Sequence, residues 1–229
     1  MQEESNKFYV LQKIMCDTLV SFVESKEKSF TDLLFILGST GDDAVMWFEK
    51  EKQIAQQMIE NNREKDISYA VMVYGKNLSI KSKFNETTSE ENLKMLINNL
   101  TWEGKGIKIG HALKAAIKLF RYRDRPNSRK MVVVFISGHL DEVPRDLKKL
   151  SGRLHDDDVK IVVLKLGNHT NDEQLEVITP RKNIVTINEN ETNEHAAEKV
   201  DDEIMQGKKI IHVFQNDFLF HSKKITSYF

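Results

Sequence analysis

The stretch FILGSTGDDAV, residues 35–45, decides the fold of this chain. An apolar run of strand length leads into a turn that contains two glycines, and a segment with helical spacing of apolar residues follows. This order predicts a buried strand, a tight turn and a helix, which is the repeating unit of a parallel α/β sheet. Such a turn can hold a nucleotide, a phosphate, a metal ion or no ligand, and its side chains decide between these.

Two further apolar runs repeat the pattern farther along the chain. KMVVVFISG, residues 130–138, and VKIVVLKLG, residues 159–167, are dominated by apolar residues, as expected for strands that are covered on both faces. A helical segment follows each of them. Because strands joined through a helix run in the same direction, the chain is predicted to form a mostly parallel, doubly wound sheet.

One connection breaks the parallel pattern. ISYAVMVYG and LSIKSKFN are joined by the short turn GKN at residues 75–77, which predicts an antiparallel hairpin. The second of these strands alternates apolar and polar residues and is therefore predicted to lie at the edge of the sheet. The fold class is α/β: a three-layer, doubly wound, mostly parallel six-stranded sheet with one antiparallel edge strand.

The chain divides into three parts. Residues 30–207 are predicted to form the α/β domain. Residues 1–29 are predicted to be a flanking helix or linker, because residues 8–23 place apolar residues at spacings of three and four. Residues 208–229 are an extension rich in aromatic residues that lacks helical periodicity.

Composition excludes several classes of protein. The 229 residues are 40% hydrophobic and 30% charged, enough for one sizeable core, and the net charge of -1 provides no global attraction to nucleic acid or an anionic membrane. No apolar run has the length of a transmembrane helix, and the start MQEESNK lacks the core of a signal peptide. If the protein is secreted, this sequence is expected to be a fragment of a longer chain.

Two features bear on the cellular compartment. Cys16 is the only cysteine, so it can form no internal disulfide and either bridges to another module or is a buried thiol. Five N-x-[ST] sequons exceed the roughly two expected by chance, which favours a secretory origin, although an Asn-rich sequence also produces sequons by accident. The candidate glycosylation sites are Asn77, Asn85, Asn99, Asn168 and Asn190.

Ligands of doubly wound sheets bind beyond the carboxyl ends of the strands. Three loops are expected there, at residues 38–43, 103–110 and 137–142. GSTGDDA in the first loop fits a dinucleotide fingerprint, but Asp42 and Asp43 place carboxylates where a pyrophosphate would bind. The second strand supplies no acidic residue for a ribose, and no G-x-x-x-x-G-K-[ST] loop is present.

The order of elements, the hairpin and the three loops together resemble the von Willebrand factor A domain, over about residues 30–207. TDLLFIL resembles the first strand of that family, GKGIKIGHALKAA its Gly-rich loop and helix, and RKMVVVFISGHLDE its fourth strand and loop. The resemblance implies the strand order 3-2-1-4-5-6. Within the family the sequence looks most like the tandem A domains of matrix proteins, particularly collagen VI and the matrilins.

The resemblance also implies where a metal-ion-dependent adhesion site would lie. The family builds this site from D-x-S-x-S in the first loop, a Thr in the second and an Asp in the third, because Mg²⁺ requires oxygen ligands in octahedral geometry. Only one of the five matching positions keeps an equivalent hydroxyl, both key carboxylates are lost, and Lys105 and Lys108 add positive charge. The matching positions are Gly38, Thr40, Asp42, Ile107 and Ser137.

These changes predict a degenerate metal site, with no metal and no cofactor bound. The predicted function is a non-catalytic, metal-independent protein-interaction or assembly module of a secreted matrix protein. Its partners would be other matrix or cell-surface proteins, neighbouring A domains or collagen chains, and neither nucleic acid nor a membrane interior. No catalytic residues are predicted, since no nucleophile and base share a motif. The candidate interaction face comprises Ser39, Asp42, Asp43, Lys105, Lys108 and His139.

Two alternatives remain open from the sequence. The first is a cation-dependent adhesion domain with an atypical site at Thr40, Asp42 and Asp43, although these acidic residues also suit the positive end of the following helix. The second is a nucleotide-binding α/β enzyme. Separately, RYRDRPNSRK at residues 121–130 is interpreted as a solvated loop, or else as a basic patch for an acidic partner.

Overall fold

The computed structural model describes residues 30–38, 43–63, 66–84, 89–102, 104, 108–123, 125, 127–140 and 142–202. The helix predicted at residues 8–23, the extension at 208–229, Cys16 and Asn85 lie outside the described residues.

Six strands form one sheet in the order β3-β2-β1-β4-β5-β6, which is the order that the resemblance to the von Willebrand factor A domain implied. Each neighbouring pair is parallel except β2 and β3, which form the predicted antiparallel hairpin at the edge. The strands are β1 (Phe30–Leu37), β2 (Ile67–Val73), β3 (Ser79–Ser82), β4 (Ser128–Ile136), β5 (Val159–Leu166) and β6 (Ile184–Ile187). β1 begins three residues before its apolar run, because its first residues also pair with both neighbouring strands.

Helices cover both faces of the sheet. They are α1 (Ala44–Asn61), α2 (Glu90–Asn98), α3 (Ile109–Tyr122), α4 (Pro144–Asp156), α5 (Asp172–Leu175), a 3-10 helix (Arg181–Asn183) and α6, which is described from residue 193 to residue 202. Ser89 caps α2 by accepting a hydrogen bond from the Asn92 amide at 3.3 Å. The sequence DEQLEVIT, residues 172–179, predicts a short helix, but α5 covers only its first four residues. The chain turns after Leu175, and the Thr179 hydroxyl donates to the Ile161 carbonyl.

The core consists of two apolar layers, one on each face of the sheet. Successive residues of β1 alternate between them: Leu33 and Phe35 pack with α1, α2 and α6, whereas Leu34 and Ile36 pack with α3, α4 and α5. Full burial of one such side chain contributes about 2 kcal/mol, so the apolar runs that predicted the sheet also stabilise it. Trp47 is buried in the first layer.

The basic segment at residues 121–130 is partly folded under the amino end of the sheet. Arg123 and Arg125 form ion pairs with the buried Asp32 carboxylate, at 3.3 and 3.7 Å, and the Arg125 guanidinium lies 3.9 Å from the centre of the Phe30 ring. These two arginines therefore hold β1 to the loop before β4. The interpretation of the segment as a solvated loop is wrong for them, because a carboxylate buried at the start of β1 requires cationic partners.

Candidate functional site

The carboxyl ends of β1 and β4 bring part of the expected site together. Gly38 follows β1, Ser137 and His139 follow β4, Asp43 precedes α1, and Lys108 precedes α3. Five other residues of the candidate face and the metal positions fall outside the described part of the chain. These are Ser39, Thr40, Asp42, Lys105 and Ile107.

The space beside Gly38 is occupied by Tyr74. A Cβ built on Gly38 would lie 2.6 and 2.7 Å from two ring carbons of Tyr74, and still closer to its carbonyl oxygen. The Tyr74 amide also donates to the Leu37 carbonyl at 2.9 Å, which fixes this backbone directly against the end of β1. Position 38 therefore cannot accept any side chain unless the end of β2 moves.

A buried carboxylate from α1 binds the same backbone. Glu51 is fully buried, and its Oε2 accepts a hydrogen bond from the Gly38 amide at 2.8 Å. Glu51 lies on the apolar face of α1, three and four residues from Phe48 and Trp47. Sequence reasoning missed both Glu51 and Tyr74; the only available signal was a charged residue on the buried face of a helix.

The Tyr74 side chain is a neutral hydrogen-bond donor in the interior. Its hydroxyl donates to the Phe135 carbonyl at 3.0 Å. Burial raises the pKa of Tyr74 well above its usual range, and the nearby Glu51 and Glu142 carboxylates raise it further. The phenol consequently ties the end of β2 to β4 across β1 and carries no charge.

The loop after β4 is joined to the start of α3 by Glu142. Its Oε1 accepts a hydrogen bond from the Gly110 amide at 2.7 Å, at the helix end where backbone donors are free. Desolvation raises the pKa of Glu142, although hydrogen bonds from the Gly110 and Ile109 amides and the charges of Lys108 and His111 oppose this. The Glu142 carboxylate is therefore committed to an internal contact.

The start of α1 carries an acidic residue and exposed apolar side chains. Asp43 occupies the N-cap position, but its side chain makes no capping hydrogen bond, and only its carbonyl accepts from the Trp47 amide at 3.0 Å. Beside it, Val45 and Met46 are 55% and 41% exposed. Val143, at the start of α4, is 60% exposed on the other side of the loops. The carboxyl-end face thus presents apolar side chains to solvent.

The described residues do not fit a magnesium ion at this site. Among them, no group of three or more His, Cys, Asp or Glu side chains is arranged to hold a metal. Position 38 has no room for the carboxylate that the family places there, and Glu51 and Glu142 each accept from a backbone amide. A hard divalent cation needs anionic oxygens free to coordinate it.

The sequons can be compared for accessibility. Asn77, Asn99, Asn168 and Asn190 are all exposed. The hydroxyl of Thr170, in the Asn168 sequon, is committed to a buried hydrogen bond with the Gly138 carbonyl at 2.9 Å. That threonine therefore has a structural role that is independent of glycosylation.

Comparison with known families identifies the class of protein. Residues 32–203 match the von Willebrand factor type A domain, so the chain belongs to this family. Domains of this family are protein-interaction modules. Searched over the described residues, no helix is both long enough and apolar enough to cross a membrane.

Solved structures agree on the fold. Proximal thread matrix protein 1 from the mussel byssus has a TM-score of 0.65 at 16% identity, covering 76% of this chain and 47% of the mussel chain. Another structure of that protein, with zinc in its metal-ion-dependent adhesion motif, has a TM-score of 0.60 at 14% identity, covering 77% and 45%. The SpRpn10 VWA domain has a TM-score of 0.60 at 15% identity, covering 74% and 95%. The chain thus spans about half the length of the mussel protein.

Proposed function

We propose that this chain is a non-catalytic protein-interaction and assembly module that binds its partner without a divalent cation. The parent would be a secreted extracellular-matrix protein resembling collagen VI, with residues 30–207 as the A domain and residues 1–29 and 208–229 as flanking segments. The occupation by Tyr74 of the space beside Gly38 carries the proposal. It removes the position from which the family's leading carboxylate would reach a metal.

Charge supports metal independence. Two carboxylates lie beside the loops: Glu51, which is buried, and Glu142, which is half-buried. Each accepts a hydrogen bond from a backbone amide. At two further positions of the degenerate site, Ile107 and Ser137 stand in place of the family's threonine and aspartate. A cation bound there would lose water without gaining the two carboxylates that the family supplies at positions 38 and 137.

The carboxyl-end face is the proposed partner surface. Its exposed Val45, Met46 and Val143 side chains provide apolar area for a protein partner. Polar and charged groups complete the face: Ser39, Asp42, Asp43, Lys105, Lys108 and His139. This mixture suits recognition of a protein surface, with apolar contacts that bury area and charges that set orientation.

Secretion and linkage to neighbours belong to the same proposal. The four described sequon asparagines are exposed, and Asn85 is the fifth candidate for glycosylation. Cys16 is the proposed disulfide partner of an adjacent module, because it is the only cysteine of the chain. Expression in mammalian cells, followed by removal of N-glycans, tests secretion through the mass that is lost.

Binding to collagen VI microfibrils tests the function directly. The full chain is immobilised, and microfibrils are passed over it with magnesium present or with excess EDTA. We expect binding that EDTA leaves unchanged and that Lys108→Glu weakens by about tenfold, or 1.4 kcal/mol. Lys118→Glu is the matched control, since it makes the same charge change on an exposed part of α3 away from this face. Loss of binding in EDTA, or equal effects of the two variants, contradicts the proposal.

One observation favours a second candidate function. The Asp43 side chain makes no capping hydrogen bond, so a cation-dependent adhesion site at Thr40, Asp42 and Asp43 is the alternative. Cation-dependent capture of a ligand that Asp42→Ala abolishes would support it. A nucleotide-binding enzyme is disfavoured, because the Gly38 amide donates to the Glu51 carboxylate, where a phosphate would be repelled. Thermal stabilisation by NAD, NADP, ATP or GTP would support nucleotide binding.

A further inference from the structure

A polar groove of about 630 Å³ lies on the outer surface between α1, α2 and the start of α6. Side-chain amides line most of it, including those of Gln53, Gln56 and Asn98, and its acidic end is formed by Glu60 and Glu91. The groove is separate from the carboxyl-end face proposed as the partner surface, and the inference drawn from it does not depend on that proposal.

The chain leaves the described structure at the acidic end of this groove. The Asp201 carboxylate accepts hydrogen bonds from the Asn61 and Asn62 side chains, at 3.1 and 2.8 Å, which holds the end of α6 against the end of α1. Asn61 directly follows Glu60, which lines the groove. After residue 202 the sequence continues to residue 229.

The charges at this end are mainly negative. Arg63 pairs with Glu60, Glu90 and Glu91 at 3.1, 3.6 and 3.7 Å, and Lys94 pairs with Glu60. With Asp201 and Asp202 at the end of α6, these described residues comprise five carboxylates and two cations, a net charge of -3. Residues 203–229 contain four lysines against one glutamate and one aspartate, a net charge of +2 with His neutral.

Apolar contact is also available beside the groove. Met95, which helps to line it, is 62% exposed on α2. In the following segment, Ile210 and Ile211 come directly after Lys208 and Lys209. Residues 203–207 can span about 16 Å when extended, at roughly 3.3 Å per residue. Glu60 and Glu91 both pair with Arg63, so this length exceeds the separation between the two glutamates at the acidic end.

We propose that residues 208–214 of this chain dock in the groove between α1, α2 and α6. Lys208 and Lys209 lie at the acidic end, and Ile210 or Ile211 covers Met95. The contact attaches the C-terminal extension to the outer face of the domain. With the extension docked there, this face is covered, and partner proteins bind elsewhere on the domain.

Paramagnetic broadening in the full chain tests the contact. Cys16→Ser removes the native thiol, and Asn98→Cys places a nitroxide in the groove while Met95 is kept. We expect the amide signals of residues 208–214 to broaden and to recover on reduction of the nitroxide. A label at Tyr122→Cys, 85% exposed on the opposite face of the sheet, is the matched control and should leave those signals sharp.

A mixed sample separates contacts within one molecule from contacts between molecules. It contains spin-labelled chain without ¹⁵N and ¹⁵N-labelled chain without a spin label, so only contacts between molecules broaden its signals. Broadening as strong as in the singly labelled chain means that a second copy fills the groove, which overturns the proposal. Sharp signals for residues 208–214 with the Asn98→Cys label also overturn it. Glu91→Lys should reduce the broadening several-fold at low salt, whereas Asp146→Lys on α4 should not. Equal effects of these two variants refute the role of charge.

Discussion

Adding one methyl group at position 38 should strongly destabilise the fold. In Gly38→Ala the new Cβ meets the Tyr74 backbone carbonyl and ring well inside van der Waals distance. Overpacking of a rigid site costs about 1 to 3 kcal/mol, and here the obstacle includes backbone that is hydrogen-bonded to Leu37, so we expect a loss of about 3 kcal/mol. For a domain of this size the loss corresponds to a fall in Tm of about 6 to 12 °C.

The assay is equilibrium unfolding in urea, followed by far-UV circular dichroism and tryptophan fluorescence. Gly152→Ala is the matched control, because the same substitution on α4 meets no atom within 4 Å and should stabilise the helix by roughly 0.5 to 1 kcal/mol. Truncation of the ring in a Gly38→Ala/Tyr74→Ala variant should not restore stability, since the carbonyl remains. A Gly38→Ala variant within 0.5 kcal/mol of the parent would refute the packing argument.

Three further predictions concern the carboxylates. Glu51→Ala should destabilise by about 2 kcal/mol in urea unfolding, because it leaves the buried Gly38 amide without this acceptor; a neutral result would contradict that role. Glu142→Gln should gain stability relative to the parent as the pH rises from acid toward 7, because the pKa of Glu142 is raised in the folded state and its ionisation costs stability. Asp146→Asn, at an exposed position four residues later, is the control. The same pH profile for both variants would count against the assignment. Asp32→Asn should lower the free energy of unfolding by about 2 kcal/mol even at high salt, because the Asp32 carboxylate is buried. Arg121→Ala, which breaks the more exposed pair with Asp157, should lower it by less than about 1 kcal/mol. Urea unfolding at two salt concentrations measures both.

The sheet was predictable from local patterns. Apolar runs at residues 33–37, 130–138 and 159–167 marked strands buried on both faces, and the short turn at 75–77 marked the antiparallel edge. The order of the strands was implied by the resemblance to the von Willebrand factor A domain. The extent of α5 was overestimated, since its end depends on a hydrogen bond between the Thr179 hydroxyl and a distant strand.

The interior of the candidate site was not predictable in the same way. The sequence shows that Gly38 replaces a carboxylate of the family motif, but not that Tyr74 occupies the space this leaves. Residues 38, 51 and 74 meet only because α1 and the end of β2 pack against the end of β1. Such contacts depend on tertiary geometry, whereas Glu51 on an apolar helix face was the one local clue.

In the proposed metal-independent module, position 38 lacks the family's leading carboxylate and the space beside it has no room for one. We therefore expect Gly38→Asp not to create a magnesium site, for two reasons: its side chain clashes with Tyr74, and two of the other ligand positions hold Ile107 and Ser137. The Glu51 and Glu142 carboxylates instead accept hydrogen bonds from the Gly38 and Gly110 amides. The face retains exposed apolar and charged side chains with which a protein partner can be bound.

Titration of the full ¹⁵N-labelled chain with Mn²⁺ is the most direct test of metal independence, because a bound paramagnetic ion broadens the signals of every amide around it. The account predicts that the amides of Gly38, Gly110 and Ser137, and those of residues 39–42, stay sharp at sub-millimolar Mn²⁺. Saturable broadening centred on these loops at such concentrations, reversed by EDTA or by competing Mg²⁺, would contradict it.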